Sequence, residues 1–187
     1  MTTQQTSRPA VLQEFGTVRP VPLGLTADTR RHAAQRLNRV LADTHMLYAL
    51  YKKSHWQVRG GLFHSLHLLF DRHAGEQQAL VDELAERVQI LGGVAVADPR
   101  HAAELTSVPR FPDGAEDVPD LLHRLLRTHE GILLDAREAA TRLGALGDSG
   151  TEDLLVSSIV RTGERQAWFL TAETATDASA PGNLRNL

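Results

Sequence analysis

Leu37, Val40, Leu41, Thr44, Leu47, Tyr48, Tyr51 and His55 follow one another at intervals of three and four. That spacing lines one face of a long α-helix, and a helix with such a stripe is stable only when other elements cover it. Thr26 is a suitable N-cap for it, and the RGG at 59–61 ends it. A second helix is expected from about Leu62 to Leu91, stopped by Gly92 and Gly93. Asp98 followed by Pro99 reads as an N-cap with proline at the first helical position, opening a short helix to about Leu105. After VPRFPDG, the residues Leu121, Leu122, Leu125, Leu126, Ile132, Leu133, Ala136, Ala140 and Leu143 mark a third long helix, closed by Gly144 to Gly150. A fourth starts near Thr151 and carries Leu154, Leu155, Ile159, Val160, Trp168 and Phe169. No strand-like alternation and no fixed repeat interrupts this pattern. The expectation is an all-α four-helix bundle at 26–173, with a short helix in a middle connection long enough to cross the bundle. Residues 1–25, with Pro9, Gly16, Pro20, Pro22 and Gly24, read as a flexible or loosely docked tail, and 174–187 as a flexible C-terminal tail.

One such bundle fits 187 residues of which 42% are hydrophobic. A formal charge of −3 gives no global attraction to nucleic acid or anionic membrane, so any DNA contact needs a local patch. Absence of cysteine removes disulfides, thiolate metal sites and thiol catalysis. The polar N-terminus is unlike a secretory signal, and no apolar run approaches the roughly 18 residues of a membrane helix. A soluble cytoplasmic protein is expected.

The second helix is polar along one side. His67 and Asp71 are four apart, as are Asp82 and Glu86, and all four lie within an arc of roughly 100°. Asp71 and Asp82 are nevertheless separated by about 16 Å of helix at ~1.5 Å per residue, too far to share a metal with bonds near ~2 Å. A second copy solves the problem. His67 and Glu86, and likewise Asp71 and Asp82, are symmetric about the same midpoint between Glu76 and Gln77. Two antiparallel copies of this helix would therefore bring His67 and Asp71 of one chain to Asp82 and Glu86 of the other, twice over. His55, near the end of the first helix and on its inward face, can reach the same place. Imidazole and carboxylate ligands without sulfur suit iron, manganese or zinc.

The run KSHWQVRGGLFHSLHLLFDRHAGEQQALVDELAERVQILGG, Lys53 to Gly93, resembles the signature of the Dps proteins, mini-ferritins named as DNA-binding proteins from starved cells. GTEDLLVSSIVRTGERQAWFL resembles the family's last helix, so the likeness spans most of 27–173. It implies a ferritin-like bundle assembled as a hollow dodecamer. It also implies a ferroxidase centre across a two-fold, with His55, His67 and Asp71 from one chain and Asp82 and Glu86 from its neighbour. Iron is then oxidised from Fe(II) to Fe(III), preferably by hydrogen peroxide, and stored as ferric mineral. Larger ferritin-like proteins hold iron inside the bundle through Glu-x-x-His pairs. No glutamate here has histidine three residues later, so the bundle interior is free to be apolar and the chemistry belongs at the interface.

By the same resemblance, Trp56 beside His55 would intercept radicals or electrons, unless it is a packing aromatic. Asp148, Glu152 and Asp153 would line three-fold pores admitting Fe(II), unless they serve only the dipole at the fourth helix's start. The remaining histidines are expected to be surface or packing residues. DNA binding through basic tails finds little support. The first 25 residues offer Arg8 and Arg19 against Glu14, and no lysine. The competing expectation is a nucleoid-associated protein that condenses DNA with little ferroxidase activity, its Asp and His residues specifying dimer register as ion pairs.

Overall fold

In the computed structural model, which describes residues 11–178 with side chains to 174, Thr26 caps α1 (Ala27–Gln57). Its hydroxyl accepts the Thr29 N–H at 3.0 Å. The link at 58–62 turns on Gly60, whose φ of +90° is open to glycine, and leads into α2 (Phe63–Ile90). Asp98 caps the short α3 (Pro99–Leu105), and Asp117 caps α4 (Val118–Ala145) with Pro119 in its first turn. The last rod begins as α5 (Ser149–Leu154), widens into a π-helical turn at Leu155–Val160, and continues as α6 (Arg161–Ala178). The described residues contain no strand, and no described helix is long and apolar enough to cross a membrane.

α1 packs chiefly on α2, while α4 packs on both α1 and the last rod. Leu37, Leu41 and Leu47 of α1 meet Leu66, Phe70 and Leu84 of α2 and Leu122, Leu125 and Leu143 of α4 in one continuous core. The connection between α2 and α4 crosses the bundle and is pinned to α1 by buried polar side chains. Asp43 accepts from the hydroxyl of Thr106 at 2.6 Å and from both the N–H and hydroxyl of Ser107. Asn38 donates to the Val94 carbonyl and accepts the Val96 N–H. A crossover held in this way needs no strand and no long loop of its own.

Three features depart from the expected outline. Residues 11–25 are docked on the molecule. The Arg19 N–H donates to Gly92 O at 2.9 Å, Gln13 donates to the same carbonyl, and Phe15 meets His101 edge-on at 4.5 Å. The physical cause is the end of α2, whose terminal carbonyls need donors. Arg30 completes the closure, donating to the carbonyls of both Arg19 and Leu91. Gly92 has a φ of +81° and sits so close to Arg19 O that a Cβ would lie 2.5 Å from it, so no other residue fits there without a backbone shift. At the other end, α6 runs to Ala178, past the expected limit at 173, because nothing in TAETATDA breaks a helix and the next proline is Pro181. The π-helical turn is the third, and it turns both Ile159 and Val160 inward.

Candidate metal centre

His55 lies in the last turn of α1 and His67 in the second turn of α2, so the hairpin between these helices sets them side by side. The end of α1 leaves carbonyls without intrahelical partners, and the His55 carbonyl is one of them. His67 Nδ1 takes it at 2.8 Å, and His55 Nδ1 in turn bonds the His67 carbonyl at 2.8 Å. The two rings stack with centroids 3.8 Å apart and planes 23° from parallel. A carbonyl only accepts, so each Nδ1 must carry the proton, and each Nε2 is left with its lone pair free. This is how a metal-ligating histidine is usually oriented: one nitrogen tied to a backbone carbonyl, the other bare.

One turn beyond His67, the Asp71 carboxylate lies 3.9 Å from His55 Nε2. Lys52 donates to the same carboxylate oxygen at 2.7 Å, and this hydrogen bond holds the Asp71 carboxyl below its ordinary pKa, with the Lys52 charge adding to the effect. Asp71 is thus anionic at neutral pH, and a cation at this place competes with Lys52 for it. Asp82 and Glu86 project from the exposed side of α2, and neither has a charged or hydrogen-bonding partner within the described chain. Among the described residues no three His, Asp or Glu side chains close on a point that could hold a metal. One chain therefore presents a pair of imidazoles with a carboxylate at one end of α2, and two unengaged carboxylates at the other.

The same face carries further symmetric features. Phe63 and Ile90, 45% and 51% exposed, lie at equal distances from the Glu76–Gln77 midpoint. Gly75, next to that midpoint, has open space where a Cβ would project. A mid-helix glycine costs about 1 kcal/mol relative to alanine, and nothing within the chain requires one here.

Trp56 is 69% exposed beside His55, so it is not a core aromatic within the chain. The three acids at the start of the last rod divide. Asp148 is 1% exposed. It caps α5 by accepting the N–H and hydroxyl of Thr151, and it receives Arg87 at 2.6 Å. That is a correction to its expected place in a pore: a desolvated, fully engaged cap has no face to offer a passing ion. Glu152 folds back over Gly144, while Asp153 is exposed and accepts from Ser157. Arg19 is exposed on the docked segment, and Arg8 lies outside the described residues.

The interior, free to be apolar, nevertheless holds a polar group. Tyr51, His73 and His129 meet in the bundle core with Gln77 and Gln166. The Tyr51 hydroxyl is 2.6 Å from His129 Nε2 and 3.2 Å from His73 Nδ1. Gln77 donates to Gln166, which donates to Glu76. The sequence held a signal for this group. Tyr51 is on the stripe of Leu37 and Leu47, His129 falls on the stripe between Leu125 and Leu133, and His73 follows Phe70 by one turn. Histidines on an apolar stripe are desolvated whatever else they do.

Burial lowers the pKa of His129 to about 3, with a smaller contribution from His73, and lowers that of His73 to about 4. Both are neutral in the native protein, while in the unfolded chain they titrate near 6.5. Between these values the unfolded state binds more protons, so stability rises with pH and is lost as pH falls from about 6.5 towards 4 and 3. The urea midpoint is expected to drop between pH 7.5 and pH 5, by more in the wild type than in a His73→Asn variant. A midpoint flat over that range would show that these histidines are solvated.

A family model, the ferritin-like domain, matches residues 34–178. A nutrient stress-induced DNA-binding protein of Synechococcus is 36% identical over 155 residues, 83% of this chain and 88% of that protein. The solved structure of DpsC from Streptomyces coelicolor superposes with a TM-score of 0.87 at 59% identity, covering 88% of this chain and 96% of the other. A Dps protein of Vibrio cholerae, described as a member of a broad superfamily of ferritin-like diiron-carboxylate proteins, superposes at 0.77 with 25% identity, covering 87% and 99%.

Proposed function

The chain belongs to the Dps family of ferritin-like proteins, and on that premise we propose that it oxidises and stores iron at centres formed where two copies of α2 cross. Iron is its substrate and its cargo. His55, His67 and Asp71 of one chain, with Asp82 and Glu86 of a two-fold mate, hold Fe(II). Hydrogen peroxide is the preferred oxidant, and ferric mineral collects in a hollow dodecamer, in the cytoplasm beside the nucleoid. The observation that carries this reading is the reciprocal lock of His55 and His67, which leaves two Nε2 lone pairs beside an anionic carboxylate. The unengaged Asp82 and Glu86, the paired exposure of Phe63 and Ile90, and the gap at Gly75 support the two-fold.

The chemistry follows from the donor set. Imidazoles tolerate Fe(II), while three carboxylates favour the harder, more charged Fe(III), so the centre stabilises the oxidised product more than the substrate. Two irons held side by side deliver both electrons that peroxide needs, which avoids releasing hydroxyl radical. Lys52 leaves Asp71 when a cation arrives, a local exchange of one positive partner for another. Protection of DNA from peroxide follows from iron removal alone and needs no contact with DNA. Asp153, with Glu152, remains the acidic rim for Fe(II) admission, concentrating cations by its field. Trp56, exposed beside a ligand, is placed to give up an electron.

Anaerobic Fe(II) titration tests the reading. The assembled protein is expected to bind Fe(II) stoichiometrically and the Asp71→Ala assembly at least ten-fold more weakly. Peroxide then oxidises the bound iron only in the wild type. Equal weak binding by both would favour the competing reading, in which the polar face merely sets dimer register.

A further inference from the structure

We propose that Tyr51 is a redox-active residue that supplies the second electron to peroxide when a centre holds only one Fe(II), passing its proton to His129. The inference rests on the ferroxidase reading above and on the buried group that this reading leaves unused.

Tyr51 is wholly buried one helical turn before His55 on α1, about 6 Å away along the axis at ~1.5 Å per residue. The 2.6 Å separation of its hydroxyl from His129 Nε2 is short even for a hydrogen bond to a hydroxyl. Satisfaction assigns the protons: His73 Nδ1–H donates to the Tyr51 oxygen, and Tyr51 O–H donates to His129 Nε2. His73 Nε2 is then a bare lone pair, and it is buried without any partner. A buried orphan of this kind asks for a function, because replacing the group by apolar side chains would be the simpler core.

The arrangement suits one event, loss of an electron from the phenol. Burial raises the Tyr51 pKa well above its usual value, so the phenolate does not form on its own. A phenol that has lost an electron is a far stronger acid than an imidazolium, so its proton crosses to His129 even though burial disfavours the charged ring. His73 N–H remains on the phenoxyl oxygen and stabilises it.

The balance closes. Peroxide takes two electrons and two solvent protons to give two waters. One electron comes from Fe(II), which becomes Fe(III). The other comes from Tyr51, whose O–H bond breaks to leave a neutral phenoxyl radical, with its proton on His129. A later Fe(II) returns the electron, and His129 returns the proton. Trp56 is 69% exposed on the single chain, whereas Tyr51 is wholly enclosed within it.

The chain has two tyrosines, Tyr48 and Tyr51, which makes assignment direct. The assembled protein is loaded with one Fe(II) per centre, mixed with peroxide, frozen within milliseconds and read by electron paramagnetic resonance. A neutral tyrosyl signal is expected, narrowed by ring-deuterated tyrosine, retained in Tyr48→Phe and absent in Tyr51→Phe. Hydroxyl radical caught by a spin trap is expected to rise several-fold in Tyr51→Phe. In His129→Leu the tyrosyl yield should fall at least ten-fold although Tyr51 is present, and the labelled Tyr48→Phe protein gives the assignment even if that variant does not fold. In a second arm, iron-free wild type is oxidised by a flash-generated ruthenium(III) trisbipyridine complex, and the same Tyr51 signal is expected. Iron oxidation without a tyrosyl signal, or a signal that belongs to Tyr48, overturns the proposal. A Tyr51 signal in the flash arm with no iron oxidation overturns the ferroxidase reading, and with it the electron's destination, while the Tyr51–His129 pair stands.

Discussion

Co-assembling His55→Ala chains with Asp82→Ala chains is expected to restore peroxide-driven iron oxidation that each variant lacks alone. In the proposed arrangement either substitution by itself spoils every centre in a homo-oligomer, because each centre would draw its histidines from one chain and Asp82 from the other. In a mixed dimer, one centre receives both lesions and the other receives none. With equal, random mixing about half of the dimers are mixed and half of their centres are whole, so about a quarter of the wild-type capacity returns. Mixing is checked by the mass of the assembly, with one variant carrying a mass label, and capacity by the iron oxidised in a single turnover. A centre built within one chain would give no recovery at any ratio. A recovery well above one quarter would show that the variants were not inactive to begin with.

The second large effect concerns stability. Arg87→Ala is expected to destabilise the protein by about 3 kcal/mol, read as a lower urea midpoint at fixed protein concentration. Arg87 reaches from the end of α2 to the start of α5, donating to Asp148 at 2.6 Å and to the Thr151 hydroxyl at 2.9 Å. Without it, the Asp148 carboxylate, 1% exposed in the native chain, has lost its cation. Breaking a buried pair leaves an uncompensated charge, which costs more than the pair itself contributes. Asp148→Asn in the Arg87→Ala background should therefore recover more than half of the loss, since an amide still caps α5. If Asp148 lined an open channel, the same substitutions would alter iron uptake and leave stability within about 0.5 kcal/mol.

The proposed centre rests largely on positions in the chain. His67, Asp71, Asp82 and Glu86 repeat with the pitch of a helix, and their shared midpoint is a property of spacing that holds wherever the helix packs. Asp148 shows the limit of such reading. An acid beside a helix start is the same letter whether it caps the helix or faces an ion, and Arg87, 61 residues away, decides which. The interior histidines show it again. Absence of Glu-x-x-His excluded one way of holding iron within the bundle and left the core free to be apolar, yet Tyr51 and His129 sit on the same stripes as the leucines.

The sequence by itself determined four long helices, their caps at Thr26 and Asp98, and a polar face on α2 symmetric about the helix's own midpoint, because helical periodicity and capping are local and survive without knowledge of neighbours. Only the tertiary structure decided which nitrogens of His55 and His67 are left free, that residues 11–25 close the end of α2, that Asp148 is sealed by Arg87, and that Tyr51 lies between two neutral histidines. Each of these depends on groups distant in sequence removing water from one another, and desolvation is settled only when the helices are packed.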